Sequence, residues 1–171
     1  MKKQKGFSLI ELLIVVAIIL IIAAIAIPNL IRAKMAANEA SAVGSERTIV
    51  TAEISYNGAG WNNGATPPVY VGFSTALADL GSNGAGVCTP ATSTATCLID
   101  DVLAAGNKSG YAFAYTPVAG PAGGVTNAGF TAVASPQSPN QTGTRYFFVD
   151  ETGVIRQNSK APATVKDAPI Q

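Results

Sequence analysis

The chain has 171 residues, enough for one modest domain and an anchor, and only 12% of them are charged. A net charge of +1 leaves no nucleic-acid footprint. Histidine is absent, which excludes histidine-based triads, histidine acid–base catalysis and histidine-containing zinc sites.

Lys2, Lys3 and Lys5 open the chain, and an apolar run from Leu9 to Ile27 comes next, in which Glu11 is the lone charge. At about 1.5 Å per residue a helix over that run nearly matches the thickness of a bilayer core. The lysines favour retention of the N-terminus in the cytoplasm, leaving the bulk of the chain outside. A cleaved secretory signal shares the basic start, and Ala24-Ile25-Ala26 is a small-x-small pattern. Three features favour a retained helix instead: the acid inside the run, the length of the run, and the helical character of the residues after it. Residues 29–57 contain no proline and one glycine, a composition suited to a long helix. Pro28 removes a backbone donor, so a kink or local unwinding is expected there, with Asn29 capping a restarted helix. Asn57-Gly58 marks the end, at about Tyr56.

On a helical wheel Met35, Ala36, Ala42, Val43, Ile49, Val50 and Ile54 share one side of the second half, with Glu39, Glu46 and Glu53 on the same broad side at heptad spacing. The opposite side carries Ala37, Ser41, Gly44, Thr48, Thr51 and Ser55. A small-residue face suits close helix packing, and it equally suits a solvated surface.

Lys5-Gly6-Phe7-Ser8-Leu9-Ile10-Glu11-Leu12, continued without charge to Ile27-Pro28-Asn29, resembles the N-terminus of type IV pilins and the related pseudopilins. The resemblance covers residues 1 to about 57 and carries specific expectations. A prepilin peptidase would remove a leader, residues 1–6, by cutting after Gly6, and would methylate the new amino group of Phe7. Glycine suits the cut because no side chain obstructs backbone approach. Glu11 would pair with the Phe7 amine of a neighbouring subunit, offsetting the roughly 2.5–3.5 kcal/mol that an unpaired acid costs in a lipid span and fixing axial register. The resemblance implies a structural subunit, not an enzyme and without a cofactor. The precursor would sit in the inner membrane with its globular part periplasmic, contact the lipid bilayer and the pilus assembly machinery, and then polymerise into a homo-oligomeric helical filament on the cell surface. Such filaments serve motility, adhesion, DNA uptake or electron transfer. A pseudopilin of a type II secretion system shares this N-terminus. Major pseudopilins usually add an acidic calcium loop and a tyrosine-proline-threonine segment, which Tyr56-Asn57-Gly58 and Thr66-Pro67-Pro68 do not reproduce, so pilin is favoured. A signal-anchored exported protein that does not polymerise is the reading from another class.

From residue 58 onward Gly, Asn, Pro and Thr clusters break the chain into short pieces. Short helices are expected over 74–80, capped by Ser74, and over 98–105, ended by Gly106. Strands are expected over 111–116, 130–134, 145–150 and 154–157, with Glu151-Thr152-Gly153 as a tight turn and residues 120–127 as a loop or long hairpin tip. Tyr111, Phe113 and Tyr115 fall on one face and read as core. Cys88 and Cys97 form a disulfide if the chain is exported, at roughly 2–3 kcal/mol for so small a ring, and stay free thiols in a reducing compartment. Asp79, Asp100 and Asp101 suit helix termini better than a cation. The Ser/Thr-rich stretch 89–96 is a polar loop able to carry sugars. The expected fold is α+β and pilin-like: a long helix (7–57, membrane half 7–28, second half 29–57) over a small antiparallel sheet of about four strands in a domain spanning 58–158, then an irregular tail, 159–171.

Overall fold

The computed structural model describes residues 7–170 apart from 65, 83, 85, 87, 122 and 123. Helix α1 runs from Leu9 to Gly58. It contributes to two compact units, one ending at Lys34 and the other beginning at Met35.

Within the first unit the helix is apolar on every side from Leu12 to Ile27. Its large side chains between Leu9 and Ile31 are 46–81% exposed. By length and composition this stretch is able to cross a membrane. Pro28 lies inside α1, and the helix is unbroken through Pro28 and Asn29. The expected local unwinding is therefore not seen, and Asn29 does not cap a second helix. Strong helix formers on both sides carry the helix past the one lost backbone bond.

The second unit contains the remainder of α1, a 3-10 turn at Leu77–Leu80, the short helix α2 at Asp101–Ala104, and six strands. The strands are β1 (Asn107–Lys108), β2 (Tyr111–Ala119), β3 (Asn127–Pro136), β4 (Tyr146–Asp150), β5 (Arg156–Asn158) and β6 (Ala168–Pro169). They form one sheet in chain order with every neighbouring pair antiparallel. All four expected strands are present. The two additional strands are the two-residue edges, and β6 lies within the stretch expected to be irregular. Pairs this short carry too little alternation to be legible in sequence.

Both short helices are shorter than expected, Leu77–Leu80 within 74–80 and Asp101–Ala104 within 98–105. Asp100 caps α2 by accepting the Leu103 backbone N–H at 3.0 Å. Ser74 does not cap the first; Asp79 accepts the Thr75 and Ala76 backbone N–H groups instead. The turn after β4 forms as expected, closed by Gly153 N–H to the Asp150 carbonyl at 2.9 Å. Gly153 takes a positive φ there.

Register places the core. Phe113 pairs with Ala134, Tyr115 with Ala132, and these alanines pair on their other side with Phe147 and Val149. Large side chains, three of them aromatic, thus flank a strip of small residues on β3. Ala42, Ile49, Ala52 and Tyr56 of α1 join Tyr111, Phe113, Phe130, Ala132, Ala134, Phe147 and Val149 in one core cluster. The aromatic stripe is core.

Candidate functional site

The N-terminal segment is built around a helix start. Ser8 precedes α1 and Glu11 is its third residue, the S-x-x-E spacing of a capping box. The Ser8 backbone N–H donates to Glu11 Oε2 at 2.9 Å, and Leu12 N–H donates to the Ser8 carbonyl at 3.2 Å. Glu11 is thus held against the first turn, where its negative charge also meets the positive end of the helix. Sequence reasoning overlooked this local partner, although the spacing was there to be read. Phe7 is 79% exposed at the end of the described segment. Gly6, and with it the leader, lies outside the described residues.

The C-terminal half of α1 carries a second set of acids. Its buried positions are Glu39, Ala42, Ser45, Glu46, Ile49, Ala52, Glu53 and Tyr56. The three glutamates on the wheel's apolar side therefore point inward, while Ile54 points out at 63% exposure. Gly44, Thr48, Thr51 and Ser55 are exposed. Thr48, Thr51 and Ser55 satisfy their hydroxyls by donating to carbonyls one turn back.

Glu39 is saturated. Its Oε1 accepts the Thr144 backbone N–H at 2.8 Å, the Thr144 hydroxyl at 2.9 Å and the Arg145 N–H at 3.3 Å. Its Oε2 accepts Arg145 Nε at 2.7 Å. Burial works against this charge, but the Thr144 N–H, the Arg145 guanidinium and the Thr144 hydroxyl outweigh it and hold the carboxyl below its ordinary range.

Glu53 is bound at the other end of the buried face. It accepts the Ser74 backbone N–H at 3.0 Å, a short bond from the Ser74 hydroxyl, and the Tyr115 hydroxyl at 2.6 Å. Burial raises its carboxyl against those donors. Asn127 steadies the loop by donating to the Phe73 and Ser74 carbonyls. Burial likewise pushes the Tyr56 hydroxyl up to about 12, with Asp79 and Glu53 adding to it.

Cys88 and Cys97 are joined in a disulfide. The Tyr56 hydroxyl donates to the Ser93 carbonyl at 2.7 Å, so the closed loop is tied to the end of α1. Thr96, Cys97 and Leu98 donate their N–H groups to carbonyls of Asp79, Gly81 and Leu80. The aspartates considered for a cation are spent on local structure: Asp79 on the 3-10 turn, Asp100 on α2 and Lys108, Asp101 on Ser82.

The prokaryotic N-terminal methylation motif matches residues 1–27 of the chain. The type IV wide pilus major component PilA4 of Thermus thermophilus is 51% identical over 55 residues, which is 32% of this chain and 36% of that protein. The type IV major pilin protein PilA of Myxococcus xanthus is 46% identical over 54 residues, 32% of this chain and 24% of that protein. The matched stretch thus spans about a third or less of these relatives' length, and no solved structure matches the chain. The chain therefore carries the N-terminal methylation motif leading into an apolar helix, and over a third of its length it is similar to type IV pilins.

Proposed function

We propose that this chain is a structural subunit, the major one, of a type IV pilus filament. It is made as an inner-membrane precursor, cut between Gly6 and Phe7, methylated on the Phe7 amine, and polymerised through the apolar part of α1. The observation that carries this reading is the pairing of the methylation motif with a helix whose large apolar side chains are uncovered from Leu9 to Ile31. Such a surface needs lipid before assembly and other copies of itself afterwards.

Glu11 acquires two successive partners in this scheme. In the precursor it accepts the Ser8 N–H. Cleavage creates an ammonium at Phe7, and a neighbouring subunit's amine then meets the carboxylate. The charged pair offsets the burial of both groups and selects one axial register. The end of α1, Tyr56-Asn57-Gly58, lacks the tyrosine-proline-threonine segment usual in major pseudopilins and so supports pilin over secretion pseudopilin.

Mass spectrometry of the mature chain tests the processing step. A methylated Phe7 at the N-terminus is the expected result; an intact Met1, or a cut after Ala26, sinks the proposal. Electron microscopy of cells carrying Glu11→Ala tests the pairing. Membrane insertion persists and filaments are lost if the pairing is right, and filaments of normal abundance refute it.

A further inference from the structure

Glu46 stands midway between Glu39 and Glu53, one heptad or about 10.5 Å along α1 from each. Its neighbours on the ladder are saturated with donors. Glu46 is not: it is 0% exposed, and among the described residues neither carboxyl oxygen accepts a hydrogen bond of normal geometry, the Ala134 backbone N–H giving only an electrostatic pull. Ala42 and Ile49 of α1 and Ala134 of β3 are buried in the same core.

The charged and titratable groups of the surrounding elements are committed elsewhere. On α1, Glu39 is held by Thr144 and Arg145, and Glu53 by Ser74 and Tyr115. On β2, Tyr111 donates its hydroxyl to the Arg145 carbonyl and Tyr115 donates to Glu53. Strand β3 has no titratable residue. On β4, Tyr146 is partly exposed, and Asp150 accepts from Thr152 in the turn. Arg145, just before β4, is shared between Glu39 and Gln157. Arg47 is exposed and Arg156 donates to the Asp167 carbonyl, and among the described residues no cation acts on Glu46.

An unpaired carboxylate in an apolar core is far costlier than the neutral acid, so the group keeps its proton. Burial pushes Glu46 up to about 8, with the Ala134 backbone N–H pulling weakly the other way. We propose that Glu46 is a proton-operated catch in the seam between α1 and β3. Protonated, it lets the middle of the helix seat on the strip of small residues. Deprotonated, it favours an opened seam, while Glu39 and Glu53 keep hold on either side.

The direction is set by linkage. The closed state binds the proton more tightly than the open or unfolded state, whose carboxyl titrates near 4.5. The contribution of Glu46 to stability is full below about 4.5, falls as pH rises, and is lost by the time pH passes about 8.

The test is amide hydrogen exchange on the full chain in detergent micelles, corrected for intrinsic rates, at pH 5, 6.5, 8 and 9. The wild-type opening equilibrium for residues 42–52 and 130–134 rises by up to about tenfold per pH unit between 5 and 8 and flattens above. Glu46→Gln loses that dependence. Glu46→Met, of similar volume and with no polar group to leave unpaired, loses it too and supplies the comparison if the glutamine variant folds poorly. A wild-type profile that is flat from pH 5 to 8 overturns the proposal. So does an unchanged slope in Glu46→Met.

Discussion

Tyr115 of β2 donates its hydroxyl to Glu53 of α1 at 2.6 Å, and Ser74 lies on both of them, its hydroxyl 2.9 Å from that of Tyr115. A loop, a strand and the helix therefore meet on one carboxyl group. Glu53→Ala leaves several buried donors without an acceptor and lowers stability by about 3 kcal/mol. Glu53→Gln retains an acceptor oxygen and costs less than about 1.5 kcal/mol. Urea unfolding of the full chain in detergent distinguishes the two, and equal losses would remove the acceptor role.

Glu39 is held below its ordinary range, so its contribution to stability has the opposite pH sense to that of Glu46. It is present above about 4.5, the ordinary carboxyl value, and disappears as pH falls through the lowered folded value. Wild-type chain accordingly loses stability on acidification below about 4.5. Glu39→Gln flattens that part of the profile. Thermal melts between pH 3 and 6 read the difference, and parallel curves would place the acid sensitivity elsewhere.

The disulfide closes a ring of nine residues' separation. Replacing both Cys88 and Cys97 by serine releases unfolded-state entropy worth about 2–3 kcal/mol. The loss registers first in residues 96–99, whose backbone is strung along Asp79, Leu80 and Gly81. Denaturant unfolding with and without a reductant measures it; a double-serine variant as stable as the oxidised chain contradicts the assignment.

Gly143 leaves no room for a methyl group. A Cβ placed there falls 2.1 Å from the Tyr111 hydroxyl, which donates to the Arg145 carbonyl at 2.8 Å. Gly143→Ala displaces that ring or the loop that holds Thr144 and Arg145 against Glu39, at about 1–3 kcal/mol. Combining it with Glu39→Ala gives less than the sum of the separate losses, because both act on the same loop. Additive losses would show that the loop and the ring are independent.

The long helix and the inward stripe of Tyr111, Phe113 and Tyr115 were legible because composition and alternation persist over many residues. Strands β1 and β6 were not, since their partners, rather than any pattern of their own, make them strands. Glu39, Glu46 and Glu53 illustrate a different limit. Heptad spacing put them on the apolar side, but an acid on that side is ordinarily expected to reach for water. The burial of Glu39 and Glu53 depends on donors more than twenty residues distant, at Ser74, Tyr115, Thr144 and Arg145, which no local window contains. Glu11 is conspicuous for its charge, and its local partner is written in the same stretch as the Ser8-to-Glu11 spacing of three.

The two rims of the sheet have a consequence for growth. Each rim strand is two residues long; one contains Lys108 and the other ends in Pro169, which has no N–H to offer. Neither rim presents a run of free backbone groups onto which another copy's strand could zip. Extension by sheet accretion, the route to amyloid, is blunted at both borders.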